Sequence, residues 1–239
     1  MSDRPGIYVI YRPLPAAMLT LVLAVVGGLA GLTLGTAAAA ALGQRDPGTG
    51  VWDTSSTIEL SGTIVAEPYP MLLPEDGMAG VLLVGVGKVG PPQDVLDLVG
   101  KAASVTGYRL ERDGMRMLEV QSARAGEGSG ASITRTPADR GEHAIATEIL
   151  DSKCYLGAMK PGSGQGHQAC AILCVRGGIP PMISWTDAAG VAHYALLTTA
   201  DGEPMRDEDT SLIAEPVVVT GTLTARDGWL WMAADRIER

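Results

Sequence analysis

Along the chain the pattern of hydrophobic and polar positions changes once, near residue 43. From Leu14 to Gly43, LPAAMLTLVLAVVGGLAGLTLGTAAAAALG carries no charged residue, and this run exceeds the roughly 20 apolar residues that a membrane-spanning helix requires. Residues 14–43 therefore read as a transmembrane helix. The alternative is a secretory signal peptide, since the alanine run offers a small-residue cleavage site, although signal cores run to only about 7–15 residues. Beyond this run the apolar stretches become short, alternate with polar residues and are broken by Gly, Pro and Asp-Gly. That is the punctuation of a mainly β fold without a long amphipathic helix.

The β region repeats itself. Ser104 to Val120, SVTGYRLERDGMRMLEV, resembles Val218 to Ala234, VVTGTLTARDGWLWMAA, and both contain V-T-G-x4-R-D-G. Asp-Gly favours a two-residue hairpin turn because Gly tolerates positive φ, so each copy should close on a β-hairpin. At the same offset, LLVGVG from Leu82 matches LLTTAD from Leu196. Upstream, ELSGTIVAEPYP in the first copy occupies the strand position of ATEILDSKCYLG in the second. A strand entering through Ser-Gly-Thr-Ile, a middle hairpin, a short helix such as PQDVLDLVG and the closing hairpin fit an OB-like five-stranded barrel. The expected organisation is a cytoplasmic N-terminus over 1–13, the helix over 14–43, a linker over 44–57, and barrel one over 58–123. A Gly-, Ser- and Pro-rich linker over 124–144 and barrel two over 145–239 complete it, with an insertion in the second barrel.

Charge then limits the partners. The net charge is −9 and the pI about 4.8, with no basic stripe, which argues against nucleic acid. Arg4 and Arg12 precede the apolar run, whereas Arg45 follows it beside Asp46, Asp53 and Glu59. By the positive-inside rule the N-terminus is cytoplasmic and the bulk of the chain periplasmic, as a single-pass protein of a bacterial inner membrane. Gly27, Gly31 and Gly35 recur every four residues and lie along one helix face, open to close approach by another helix. Tyr8, Tyr11 and Trp52 stand where interfacial aromatics are expected.

All three cysteines and one of the three histidines fall within DSKCYLGAMKPGSGQGHQACAILCVRGGIPP, Asp151 to Pro181. The first copy has no counterpart, so the fold does not need them. His167, Cys170 and Cys174 share one face if GHQACAILCV is helical, and Cys154 can reach that face across the intervening loop. Cys154, His167, Cys170 and Cys174 would then form a Cys3His set suited to Zn²⁺ or Cu(I), with Asp151 orienting His167. A disulfide among Cys154, Cys170 and Cys174 is the alternative in an oxidising compartment, and a redox-active thiol is a further one. Other features carry less. GVGKVG lacks the phosphate-loop pattern and reads as a turn. His143 falls in a linker and His193 in an ordinary strand. RDEDTS and PEDG read as solvated loops. Trp229 and Trp231 alternate on the last hairpin and are expected to be buried.

EILDSKCYLGAMKPG, HQACAILCVRGGIPPM and the closing VVTGTL resemble a group of small secreted bacterial domains of unknown function. Their pattern is D-S-x-C, a variable loop, H-x-x-C-x-x-x-C-x-x-G-G and a strand ending in V-T-G. Asp151, Ser152, Cys154, His167, Cys170, Cys174, Gly177 and Gly178 fall on this pattern, as do Val219 to Gly221. The resemblance covers the second copy and implies an exported OB-like barrel with a shared role for the Cys/His set, without an activity.

No catalytic motif is recognisable. The expected function is therefore a non-catalytic, membrane-anchored periplasmic accessory subunit of a larger membrane complex, such as a respiratory or photosynthetic electron-transfer complex, in contact with other transmembrane helices. The alternative is a periplasmic protein that binds Zn or Cu or carries redox-active thiols.

Overall fold

The computed structural model describes residues 8–9, 12–43, 48–126 and 136–239. Two compact units divide the chain, Met1–Asp46 and Pro47–Arg239.

The first unit holds a two-stranded ladder, β1 (Tyr8–Val9) with β2 (Arg12–Pro13), and one long helix, α1 (Ala16–Leu42). α1 is long and apolar enough to cross a membrane, a property that an anchor and a signal sequence share. No residue of α1 is buried. Thr20, Thr33 and Thr36 each donate their hydroxyl to the carbonyl four residues back, at 3.0, 2.8 and 2.9 Å. The threonine hydroxyls of the helix are thus satisfied internally, as a hydrocarbon environment demands. Tyr11, one of the expected interfacial aromatics, lies outside the described residues.

The second unit is mainly β. Strands β3 (Val51–Val65), β4 (Met71–Pro74), β5 (Val81–Val84), β6 (Ala102–Arg112) and β7 (Met115–Ala125) form one closed sheet in the order β3-β4-β5-β7-β6. The single turn α2 (Gln93–Leu96) lies between β5 and β6. Strands β8 (Ala138–Asp151), β9 (Pro181–Thr186), β10 (Ala192–Thr199), β11 (Pro216–Arg226) and β12 (Trp229–Glu238) repeat the arrangement as β8-β9-β10-β12-β11. In both sheets the third and fifth strands pair in parallel while the other neighbours are antiparallel. The duplication read from V-T-G-x4-R-D-G is therefore a duplication of topology.

That motif has a structural reason in each copy. Asp113-Gly114 and Asp227-Gly228 occupy the hairpin turns with φ of 50°, 83°, 56° and 78°, the doubly left-handed pair that such turns require. The glycine of V-T-G sits where the ladder register shifts, after Thr106 and after Thr220. A Cβ at Gly107 would lie 2.3 Å from the Glu119 carbonyl oxygen, and one at Gly221 would lie 2.0 Å from that of Ala233. Only glycine lets the backbones approach this closely at the bulge.

Strand limits differ from the sequence expectation. β3 begins at Val51, so residues 51–57 are strand and not linker; Trp52 pairs with Leu110 on β6. The polar run DTSS hid the strand because its register shifts between Asp53 and Ile58 and most of its side chains are exposed. Likewise β8 takes in His143, which pairs with Gly221 and was read as linker.

Three apolar clusters hold the second unit together. One fills the first sheet around Ile64, Leu72, Leu83, Val105 and Leu118. A second fills the other sheet around Ile149, Ile183, Leu197, Val219 and Met232. The third joins the two, with Tyr69, Met71, Leu73, Leu82, Val84 and Met117 from the first barrel against Leu150, Leu156, Ile179, Met182, Trp229 and Trp231 from the second. This explains why MLLP and VLLV are buried at every position. Alternate residues serve the barrel core and the inter-barrel core, so both strand faces are covered and the polar alternation disappears. Trp229 and Trp231 are buried there at 3 and 4% exposure, in agreement with the sequence expectation.

Candidate functional site

The insertion joins β8 to β9 and lies at the seam between the barrels. β8 ends at Asp151, the chain makes one wide turn over Cys154–Ala158, and a short turn over Gln165–His167 leads into α3 (Gln168–Arg176). Cys170 and Cys174, four apart on α3, share a helix face as the spacing requires. His167 precedes the helix as its cap residue.

Asp151 organises the segment. One carboxylate oxygen accepts the Cys154 backbone N–H at 2.8 Å and the other lies 2.8 Å from His167 Nε2. Both side chains of the Asp151–His167 pair are within 2% of complete burial. The pairing of Asp151 with His167 expected from sequence is thus present. It also separates the four expected ligands into two groups that share Cys154. Sγ of Cys154, Cys170 and Cys174 lie within 4.8 Å of one another, and the ligand atoms of Asp151, Cys154 and His167 form the other set. His167 Nδ1 and Ser152 Oγ are buried without a hydrogen-bond partner.

All three cysteines are free thiols. Cys154 Sγ stands 3.9 Å from Cys170 Sγ, against about 2.05 Å in a disulfide. A metal at about 2.3 Å from each sulfur would hold sulfurs about 3.8 Å apart in a tetrahedron and about 4.0 Å apart in a trigonal plane. Cys154 and Cys174 are buried, whereas Cys170 is partly exposed. The hydrogen bond from the Cys154 thiol is the largest influence holding Cys174 below its ordinary pKa, with help from the Lys88 charge. The same bond, together with burial, pushes Cys154 up. Of this pair, Cys174 is the more readily ionised and Cys154 the less.

Three participants were not read from the sequence. Lys88, from GVGKVG in the first barrel, donates to Cys170 Sγ at 2.5 Å and lies 3.9 Å from Cys174 Sγ. That hydrogen bond raises the lysine pKa, and a cation here favours thiolate over thiol. Met159, directly after the wide turn, places Sδ 3.5 Å from Cys170 Sγ. Lys153 crosses to the first barrel, where it meets Glu119 and donates to the carbonyls of Gly85 and Gly87 at 2.8 and 2.7 Å. Lys153 was adjacent to Cys154 in D-S-K-C and Lys88 was the one cation of its glycine loop; both signals were present without a way to pair them.

The loop and the insertion are also fastened by backbone. Gly90 N–H donates to Gly177 O at 2.7 Å, and a Cβ at Gly177 would come 1.7 Å from Lys88 O. The Gly-Gly of RGGIPP is therefore the surface on which the first barrel's loop rests.

The remaining sequence candidates stand apart from the sulfur cluster. His193 pairs with Asp187 and stacks on Trp185 at 5.3 Å. His143 contacts Arg140 O on exposed strand. Gly27, Gly31 and Gly35 lie on α1 with open space where a Cβ would stand. No family model, curated protein or solved structure matches this chain.

Proposed function

We propose that this chain is a membrane-anchored, non-catalytic protein that presents two OB-like barrels on the periplasmic side and binds one soft transition metal, Zn²⁺ or Cu(I), at their seam. The observation that carries the reading is the convergence of Cys154, Cys170 and Cys174 within 4.8 Å. The separation of sulfurs suits a bound ion, and Cys154 and Lys88 favour ionisation of Cys174. The OB-like assignment is supported by the strand order and the parallel closing pair, with the insertion in the loop between the first two strands, where such barrels hold ligands. The test is metal analysis of the full-length chain, purified reduced and without oxygen in detergent, after exposure to Zn²⁺ or Cu(I). One metal per chain, lost in Cys174→Ser, is expected. A reduced chain that retains neither ion overturns the reading, and if that chain closes rapidly to a disulfide when oxidised glutathione is then added as the electron acceptor, the thiols are assigned to redox work.

A second reading concerns partners. The apolar face of α1 that carries Gly27, Gly31 and Gly35 is uncovered in its own unit, which suits packing against helices of a larger membrane complex, such as an electron-transfer complex. Replacing the three glycines by Leu should abolish co-purification of a partner in mild detergent. Recovery of the unaltered chain as a solitary monomer counts against it.

A further inference from the structure

The sulfur site distinguishes between the two metals. Zn²⁺ takes thiolate, imidazole and carboxylate ligands. Three cysteine sulfurs converge here, so a zinc site closed by protein ligands alone would draw its fourth donor from His167 or Asp151. Those two are turned toward each other at 2.8 Å and are buried, and their ligand atoms converge with Cys154 alone and not with Cys170 and Cys174. Beside Cys170 stand the Lys88 ammonium, at 2.5 Å, and a further sulfur, the thioether of Met159, at 3.5 Å. Met159 is 43% exposed. A thioether is a poor ligand for Zn²⁺ and a good one for Cu(I), which is also satisfied by three sulfurs.

Resting on the metal-binding reading above, we infer that the resident ion is Cu(I), held by Cys154, Cys170 and Cys174 with Met159 as the selecting fourth sulfur. Cys170 and Met159 form the solvent-facing side of the set, and Cys154 and Cys174 the buried side. The exposed pair of cysteine sulfur and thioether is therefore the side from which an ion reaches the inner cysteines. No electron transfer is needed, since copper enters and stays as Cu(I).

The test uses the full-length, reduced chain in detergent without oxygen, titrated with Cu(I) against bicinchoninate and with Zn²⁺ against a chromophoric chelator. Met159→Leu conserves volume at an exposed position and should leave the thermal melt unchanged. It should weaken Cu(I) by about 10-fold or more and leave Zn²⁺ unaffected, and X-ray absorption of the copper-loaded chain should show sulfur neighbours only. Equal loss for both ions in Met159→Leu, an unchanged Cu(I) affinity, or a nitrogen neighbour at copper overturns the selection by Met159. Stable Zn²⁺ with no retained Cu(I) overturns this inference while leaving the metal-binding reading standing. Failure to hold either ion removes both.

Discussion

Lys153 and Glu119, one from each barrel, form an ion pair with both side chains about 95% buried. Two backbone carbonyls of the first barrel, Gly85 and Gly87, complete the ammonium's hydrogen bonds. Removing one partner of a buried pair strands the other charge, at a cost of about 3–5 kcal/mol. Lys153→Met and Glu119→Gln should each lower the melting temperature of the full chain, and the double variant should recover part of the loss. A double-mutant cycle followed by circular dichroism measures this, and strictly additive losses would contradict the pairing.

Asp113 and Tyr194 make a second bridge, exposed and pH-dependent. The Tyr194 hydroxyl, and after it the Thr49 hydroxyl, hold the Asp113 carboxyl below its ordinary value. A carboxyl lowered on folding adds stability above its unfolded pKa, and that contribution is lost as pH falls through the folded one. Tyr194→Phe should therefore melt earlier than the parent chain at pH 7, with the difference shrinking below the ordinary carboxyl pKa of 3.8. A difference that persists unchanged at pH 2.5 would show that packing of the ring, not the hydrogen bond, is responsible.

Gly177 has an ordinary helical φ of −79°, so its requirement is steric. Gly177→Ala drives a methyl into Lys88 O and should cost about 1–3 kcal/mol or more, with faster proteolysis of the seam. Gly166→Ala, with open space around its Cβ position, is the control and should be close to neutral. Equal effects of the two would discount the docking surface.

Asp151→Ala leaves the Cys154 N–H and the His167 ring without their acceptor. With each buried group worth about 1–3 kcal/mol, the insertion should open locally before the barrels melt. Hydrogen exchange read on peptides over residues 152–176 reports this; protection equal to the parent chain would place the organising role elsewhere.

Among the thiols only Cys170 is partly exposed. Iodoacetamide added briefly to the reduced, metal-free chain should label Cys170 first, and bound metal should protect it. Peptide mapping by mass spectrometry checks the order, and earlier labelling of Cys174 would contradict the burial.

What the sequence disclosed divides along the range of the interactions. The Asp-Gly turns and the Cys170–Cys174 helix spacing depend on neighbours within a few residues, and both were legible. So was the Asp151–His167 pair, because the two flank one loop. The bulge at each V-T-G glycine was not, because it is set by the partner strand. The start of β3 was hidden by its polar, bulged first residues. Lys88, Lys153 and Glu119 acquire meaning only when one barrel docks on the other. GVGKVG read as a simple turn, which it is locally, while its lysine and Gly90 do their work on a segment more than eighty residues away. Met159 escaped because thioethers carry no spacing signature.

Glu119 lies on a strand of the first barrel that is completed before the chain reaches Lys153. Until then its carboxylate can remain hydrated; docking strips that water away, and the side chain that replaces it sits beside Cys154 in D-S-K-C. A second barrel docked over Glu119 without Lys153 against it would leave a bare charge in the seam. The pair therefore favours the docked arrangement in which Lys153 meets Glu119 over those that separate them.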